Sequence, residues 1–159
     1  MQMDKSYKIK IARPGVGIGI KIFNKDNKVL IGQRVKEGLF GYPGGHLEMF
    51  ESWEHCAQRE LKEETGITLP LKAFKSAEVM NVIHPQSGYH YINITMLALM
   101  PEDQKPQNKE QNKCKKWLWL SSEELLKLGN KLFHPILLDV KTNPGNFADN
   151  FGAVISKLK

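Results

Sequence analysis

The chain has 159 residues, 41% of them apolar and 25% charged, a composition that suits one soluble globular domain spanning 1–159. The net charge is +6, no run approaches the roughly 18 apolar residues of a membrane span, and the start lacks the apolar stretch of a secretory signal. Cys56 and Cys114 form no CxxC pair, so neither a zinc site nor a disulfide scaffold is indicated and the cytoplasm, or the nucleus, is the expected compartment. Lysines supply most of the positive charge, with Lys5, Lys8 and Lys10 near the start and Lys105, Lys109, Lys113, Lys115 and Lys116 later. A scattered lysine excess serves solubility first; its functional reading is attraction of an anion. No strand interleaves aromatic and basic residues in the way that stacks nucleic-acid bases. A phosphorylated small molecule is therefore the expected partner, with no membrane and no stable nucleic-acid partner.

Residues 13–23, RPGVGIGIKIF, alternate. Val16, Ile18, Ile20 and Ile22 share one face of a predicted strand; Gly17, Gly19 and Lys21 share the other. The glycines leave that second face bare, open to a backbone or a flat ligand. A turn at 24–28 leads to a strand at 29–34, and residues 35–51 read as loop around Pro43-Gly44-Gly45. Ser52 is a good N-cap and Gly66 a good C-terminal stop for a helix between them. Strands are predicted at 72–83 and 89–100, a flexible polar loop at 101–113 and a strand at 115–120. Ser121 and Glu124 form a capping box that starts a helix over 121–128. Another helix is predicted over 132–140, with Pro135 in its first turn; residues from Thr142 on have no clear assignment. Interleaved strands and helices predict an α/β or α+β fold with a mixed sheet.

The helix after Ser52 breaks local rules. Glu60, Glu63 and Glu64 sit at i, i+3 and i+4 on one face, where like charges repel. They also crowd the helix C-terminus, the negative end of its dipole. Such violations mark functional sites, and a hard divalent cation held by the carboxylate oxygens would relieve the repulsion. Taken alone, RELKEE is more often a solvated face. Its surroundings decide the matter: Gly45, five residues, Glu51, seven residues, Arg59-Glu60-Leu61, one residue, Glu63-Glu64, one residue, Gly66-Ile67. Seven fixed letters match by chance on the order of once in a billion starts.

This pattern over residues 45–67 is the Nudix box, and the chain resembles the Nudix hydrolases. Arg13-Pro14-Gly15-Val16-Gly17, the PGGHLE lead-in, Trp53-Glu54-His55-Cys56-Ala57, Tyr89-His90-Tyr91 and Cys114 before Trp117-Leu118-Trp119 are similar to the eukaryotic MutT-like nucleotide-triphosphate diphosphatases. The resemblance implies a three-layer α-β-α sandwich. It also implies Mg²⁺-dependent hydrolysis of nucleoside triphosphates, with Mn²⁺ an alternative ion, giving monophosphate and pyrophosphate. Purine nucleotides such as dGTP or its 8-oxo form are the expected substrates, nucleotide sanitation the expected duty, and a homodimer the expected assembly. The alternatives are another diphosphate (a dinucleoside polyphosphate, an RNA cap or an isoprenyl diphosphate) or a nucleotide-binding module without turnover.

By resemblance, metal falls to Glu60 and Glu64, with Glu63 a further ligand or water-activating base and the Gly45 carbonyl completing the set. Glu51 orients Arg59 or serves as base. Gly44 and His46 border the phosphates, and Arg34 pairs with phosphate. Base recognition falls to Asn93, whose amide both donates and accepts, and to Phe133, Pro135 and Ile136; core packing is the rival role for Phe133 and Ile136. Two departures stand out: Phe50 where many relatives have glycine, and His134-Pro135 where similar diphosphatases have smaller residues.

Overall fold

The alternation at 13–23 becomes strand β1 (Gly15–Phe23), with Ile18, Ile20 and Ile22 at 3%, 0% and 0% exposure. The computed structural model describes residues 12–159, so Lys5, Lys8 and Lys10 lie outside the described residues. Strand β2 (Val29–Arg34) returns as expected, and Phe40–Gly41 forms the short β3. Gly44–His46 is not loop but a strand, β4, antiparallel to β1 with Ile18 opposite Gly45. Its pairing with β1 is non-local, which is why a local reading of Pro-Gly-Gly gives a turn.

Helix α1 (Trp53–Thr65) begins and ends as its caps dictate. The Ser52 hydroxyl accepts from the His55 amide, and Gly66 adopts the left-handed conformation at φ 74°. Strand β5 (Lys75–His84) starts three residues later than predicted, because Leu71–Ala73 form a 3₁₀ turn. Strands β6 (Tyr89–Leu99) and β7 (Cys114–Leu120) follow, then α2 (Ser122–Leu126) with the Ser121–Glu124 capping box in place. Helix α3 (His134–Thr142) carries Pro135 in its first turn. The unassigned C-terminal stretch forms 3₁₀ turns and a short α4 (Gly152–Ile155), whose apolar side chains are buried.

The sheet runs β3-β2-β1-β6-β5, with β4 beside β1 and β7 beside β2. It is mixed: β1 and β6 are parallel over nine positions, from Gly15 opposite Tyr91 to Phe23 opposite Leu99, and the other pairs are antiparallel. Each face has its own core. Cys56, Ala57 and Leu61 of α1 pack on Ile18, Ile20, Ile94 and Met96 on one side. Leu125, Ile136, Phe151 and Val154 cover Phe23, Ile31 and Leu97 on the other. This is the expected α-β-α sandwich.

Residues 101–113 are tied down rather than flexible. The amides of Gln107 and Lys109 donate to the Thr65 and Glu64 carbonyls at 2.8 and 3.1 Å. The Gln104 side chain exchanges two hydrogen bonds with the Thr68 backbone. The last carbonyls of a helix have no partner within it, and this segment supplies them.

Candidate active site

Strands β1 and β4 bring the glycines against the acidic helix. A side chain on Gly44 would collide with the Ile18 carbonyl, and one on Gly45 with the Glu60 carboxylate. Only glycines allow this approach. The Gly44 amide donates to Glu64 Oε2 at 2.9 Å, so loop and helix are joined at the site itself.

Arg59 organises the neighbouring acids. Its Nε and Nη2 donate to the two oxygens of Glu51 at 2.8 and 3.0 Å, its Nη1 to Glu60 at 2.7 Å, and its Nη2 also to the His46 carbonyl at 3.1 Å. The bidentate guanidinium contact holds the Glu51 carboxyl down to about 2. Both Glu51 oxygens are thereby committed. Glu64 goes the other way: burial first, and then the charges of Glu60 and Glu110, push it up to about 8. Burial penalises the charged carboxylate most, and the neighbouring acids add to it.

Among the described residues no three His, Cys, Asp or Glu side chains converge as a ready-made metal cage. Glu60 and Glu64 do line one cleft of about 560 Å³ together with Gly45, Arg34, Lys36 and Lys113. Glu60, Glu64 and the Gly45 carbonyl offer oxygen donors there, which fits a hard divalent cation. Glu63 lies apart, 54% exposed and 3.6 Å from Arg59, on a groove shared with Lys62 and Lys109.

A second cleft of about 350 Å³ adjoins the first and shares Arg34, Tyr42, Gly44, Gly45 and His46 with it. Asn93, Phe133, Pro135 and Ile136 all line this cleft. Ile136 is also 3% exposed in the second core, so packing and lining are one role there. The Arg34 guanidinium lies 4.5 Å from the Phe133 ring centre, and its Nε binds Glu37 at 3.0 Å. His134 is not part of the cleft lining; it packs edge-on against His84 with ring centres 4.7 Å apart.

Tyr89 and Tyr91, marked in the sequence by the family resemblance but given no site role there, also line this cleft. They stack at 4.4 Å, and Tyr91 shares a hydrogen bond with His46 at 2.7 Å. Tyr89, Tyr91 and Asn93 alternate along β6, and the parallel register sets Tyr91 and Asn93 beside Gly15 and Gly17. The alternation was visible in the sequence, but the pairing that gives it meaning was not. Tyr42 was hidden in the stretch read as loop, and Lys21 in the face read as bare; Lys21 is 2% exposed.

Phe50 occupies the turn before Glu51 in the left-handed region, at φ 67°, and is fully exposed. The turn has the backbone a glycine would take and carries phenylalanine instead.

With residues 13–139 matching the family model of the NUDIX domain, the chain belongs to the Nudix family. It is similar to a MutT NUDIX hydrolase from Burkholderia pseudomallei, at 26% identity and a TM-score of 0.70, covering 83% of this chain and 99% of that one. An ADP-ribose pyrophosphatase from Methanocaldococcus jannaschii is 38% identical over 72 residues, which are 43% of this chain and 41% of the relative. An RNA pyrophosphohydrolase from Pelagibacter ubique is 40% identical over 53 residues, 32% of this chain and 34% of the relative. The aligned stretches thus span less than half of either curated relative. No helix among the described residues is long and apolar enough to cross a membrane.

Proposed function

We propose that the chain acts as one catalytic domain that hydrolyses a nucleoside triphosphate, preferentially of a purine, to monophosphate and pyrophosphate with Mg²⁺. The observation that carries this reading is the shared wall of the two clefts. Arg34, Gly44, Gly45 and His46 border an acidic cleft on one side and an aromatic, amide-bearing cleft on the other. A nucleotide has the same division, with phosphates at one end and a base at the other.

Glu60, Glu64 and the Gly45 carbonyl would hold the cation, which neutralises charge developing on the phosphates. Glu63, which lies on the neighbouring groove beside Arg59, would serve as a further ligand or as the base for water only after its exposed side chain turns toward the cleft. Glu51 acts through Arg59, which it fixes by two hydrogen bonds. Arg34, Lys36 and Lys113 supply positive charge for the phosphates at the rim of that cleft. The water oxygen would bond to the α-phosphorus and give its proton to the base, the bond from that phosphorus to the α–β bridging oxygen would break, and pyrophosphate would leave with that oxygen. Tyr89, Tyr91 and Phe133 would stack the base, and Asn93 would read its edge. The names of the curated relatives favour a second reading, in which the substrate is ADP-ribose or the phosphorylated end of an RNA.

The test is product release with Mg²⁺ across dGTP, its 8-oxo form, the other triphosphates, ADP-ribose, dinucleoside polyphosphates, 5′-triphosphorylated RNA and isoprenyl diphosphates. Fast pyrophosphate release from purine triphosphates is the expected result. Preferential cleavage of ADP-ribose or RNA would replace it with the second reading. Binding without turnover of any substrate would make the chain a nucleotide reader.

A further inference from the structure

Beneath the base cleft lies a much smaller hollow. Gly19, Tyr42, Asn93 and Ile136 line both, and Thr95 and Asp139 help to close the bottom. Its volume is about 10 Å³, the room of a single water-sized group. An amino or oxo substituent fits that space and a ring does not.

The surroundings are polar and charged although they lie in the interior. Thr95 and Asp139 are 3% and 1% exposed. Asp139 accepts from the Lys21 ammonium at 2.6 Å and from the Asn143 amide at 2.9 Å. Glu78 stands 3.7 Å from the same ammonium, so two carboxylates face one buried cation, with Lys157 near Glu78 at the surface. The Tyr42 hydroxyl is sealed from solvent and has no hydrogen-bond partner, and one oxygen of Glu78 is likewise unpartnered. Burial first, and then Asp139 and Glu78, keep this phenol protonated well above its usual range. Polar groups buried without partners are costly, and a ligand that supplies the partner gains from it.

We infer that this hollow reads one exocyclic amino group of a bound base, and that Tyr42 makes the base cleft selective for it. The inference rests on the nucleotide reading above. The local charge decides the sign. The carboxylates draw the phenol proton toward themselves, leaving the lone pairs of the Tyr42 oxygen for an incoming N–H. The Thr95 hydroxyl oxygen adds an acceptor at the same spot, while the Asn93 amide turns its nitrogen toward Gly19 and its oxygen toward Gly17 in the larger cleft. An oxo substituent would instead bring its own lone pairs into a negative pocket.

Two nucleotide pairs that differ only by an amino group test this: dGTP against dITP, and ATP against purine riboside triphosphate. Turnover is measured for each, and binding of the corresponding monophosphates is measured by calorimetry. At least one amino-bearing member should be preferred by about tenfold, the value of one well-placed hydrogen bond. Tyr42→Phe should cut that preference to about threefold or less in turnover and binding alike. Thr95→Val, read on the same ratio, serves if Tyr42→Phe does not fold. Equal use of both members in both pairs, or an unchanged ratio in the variant, overturns the inference while leaving the hydrolase reading intact. Amino preference in binding without turnover does the reverse. Absence of both turnover and binding removes both.

Discussion

The Gly44 amide donates to Glu64 Oε2 at 2.9 Å, linking the strand that borders the base cleft to the acidic helix. This bond favours the charged carboxylate, yet burial and Glu60 outweigh it and raise Glu64 to about 8. An acid whose pKa is higher folded than unfolded takes up a proton on folding. Its stabilisation is full below the ordinary carboxyl pKa of about 4.5 and is lost as pH rises through about 8. In EDTA, the unfolding free energy should fall between these values by at most about 1.4 kcal/mol per pH unit, and the melting temperature should fall with it. Added Mg²⁺ should flatten or reverse the slope and release protons on binding. Scanning fluorimetry across pH, with and without metal, reads this directly; an unchanged slope on adding metal counts against Glu64 as a ligand.

Glu64→Gln removes the charge and keeps the shape. Turnover should drop at least about 10²-fold, the scale of losing one preorganised electrostatic group, while the metal-free protein at pH 8 melts no lower than wild type. Wild-type turnover from this variant would sink the metal assignment.

Arg59→Lys keeps a positive charge and loses the planar fork that holds both Glu51 oxygens. A supporting contact of this kind is worth about 10- to 100-fold in activity or metal affinity. The loss should appear mainly in kcat, because Arg59 acts through Glu60 and Glu51. A change confined to KM would instead place Arg59 on the substrate.

Phe50 holds a left-handed backbone that costs a non-glycine residue about 1–3 kcal/mol. Phe50→Gly relieves this, partly offset by the extra freedom of an unfolded glycine. A net gain of about 0.5–1 kcal/mol is expected, or roughly 1–4 °C in Tm for a chain of this size. A fall in Tm would mean that the exposed ring has a stabilising contact.

Lys21→Met leaves Asp139 and Glu78 without their buried counter-ion. Breaking one side of such a pair costs about 3–5 kcal/mol, measurable as a lower urea midpoint. Lys21→Met with Asp139→Leu should recover much of that loss. A single variant within about 1 kcal/mol of wild type would show that the buried pair contributes little.

Much of this molecule is local and therefore legible in sequence. Ser52, Gly66 and the apolar stripe of Cys56, Ala57 and Leu61 specify α1 without reference to anything distant. The alternation of Ile18, Ile20 and Ile22 marks a buried strand face by itself. What escaped depends on partners far along the chain. Lys21 is buried because Asp139 meets it 118 residues later. Gly44–His46 becomes a strand because β1 passes beside it, and 101–113 is anchored by the open end of α1. Tyr89 and Tyr91 become part of a site only when parallel register sets β6 against the glycines.

That register also sets a timetable for synthesis. Phe23 ends β1, and its partner Leu99 follows 76 residues later. A ribosome adding about 5–20 residues per second takes roughly 4–15 s to cross that gap. Through this interval β1 has β2 and β4 along one edge but lacks β6 along the other. The centre of the sheet is thus completed only after more than half of the chain has been made.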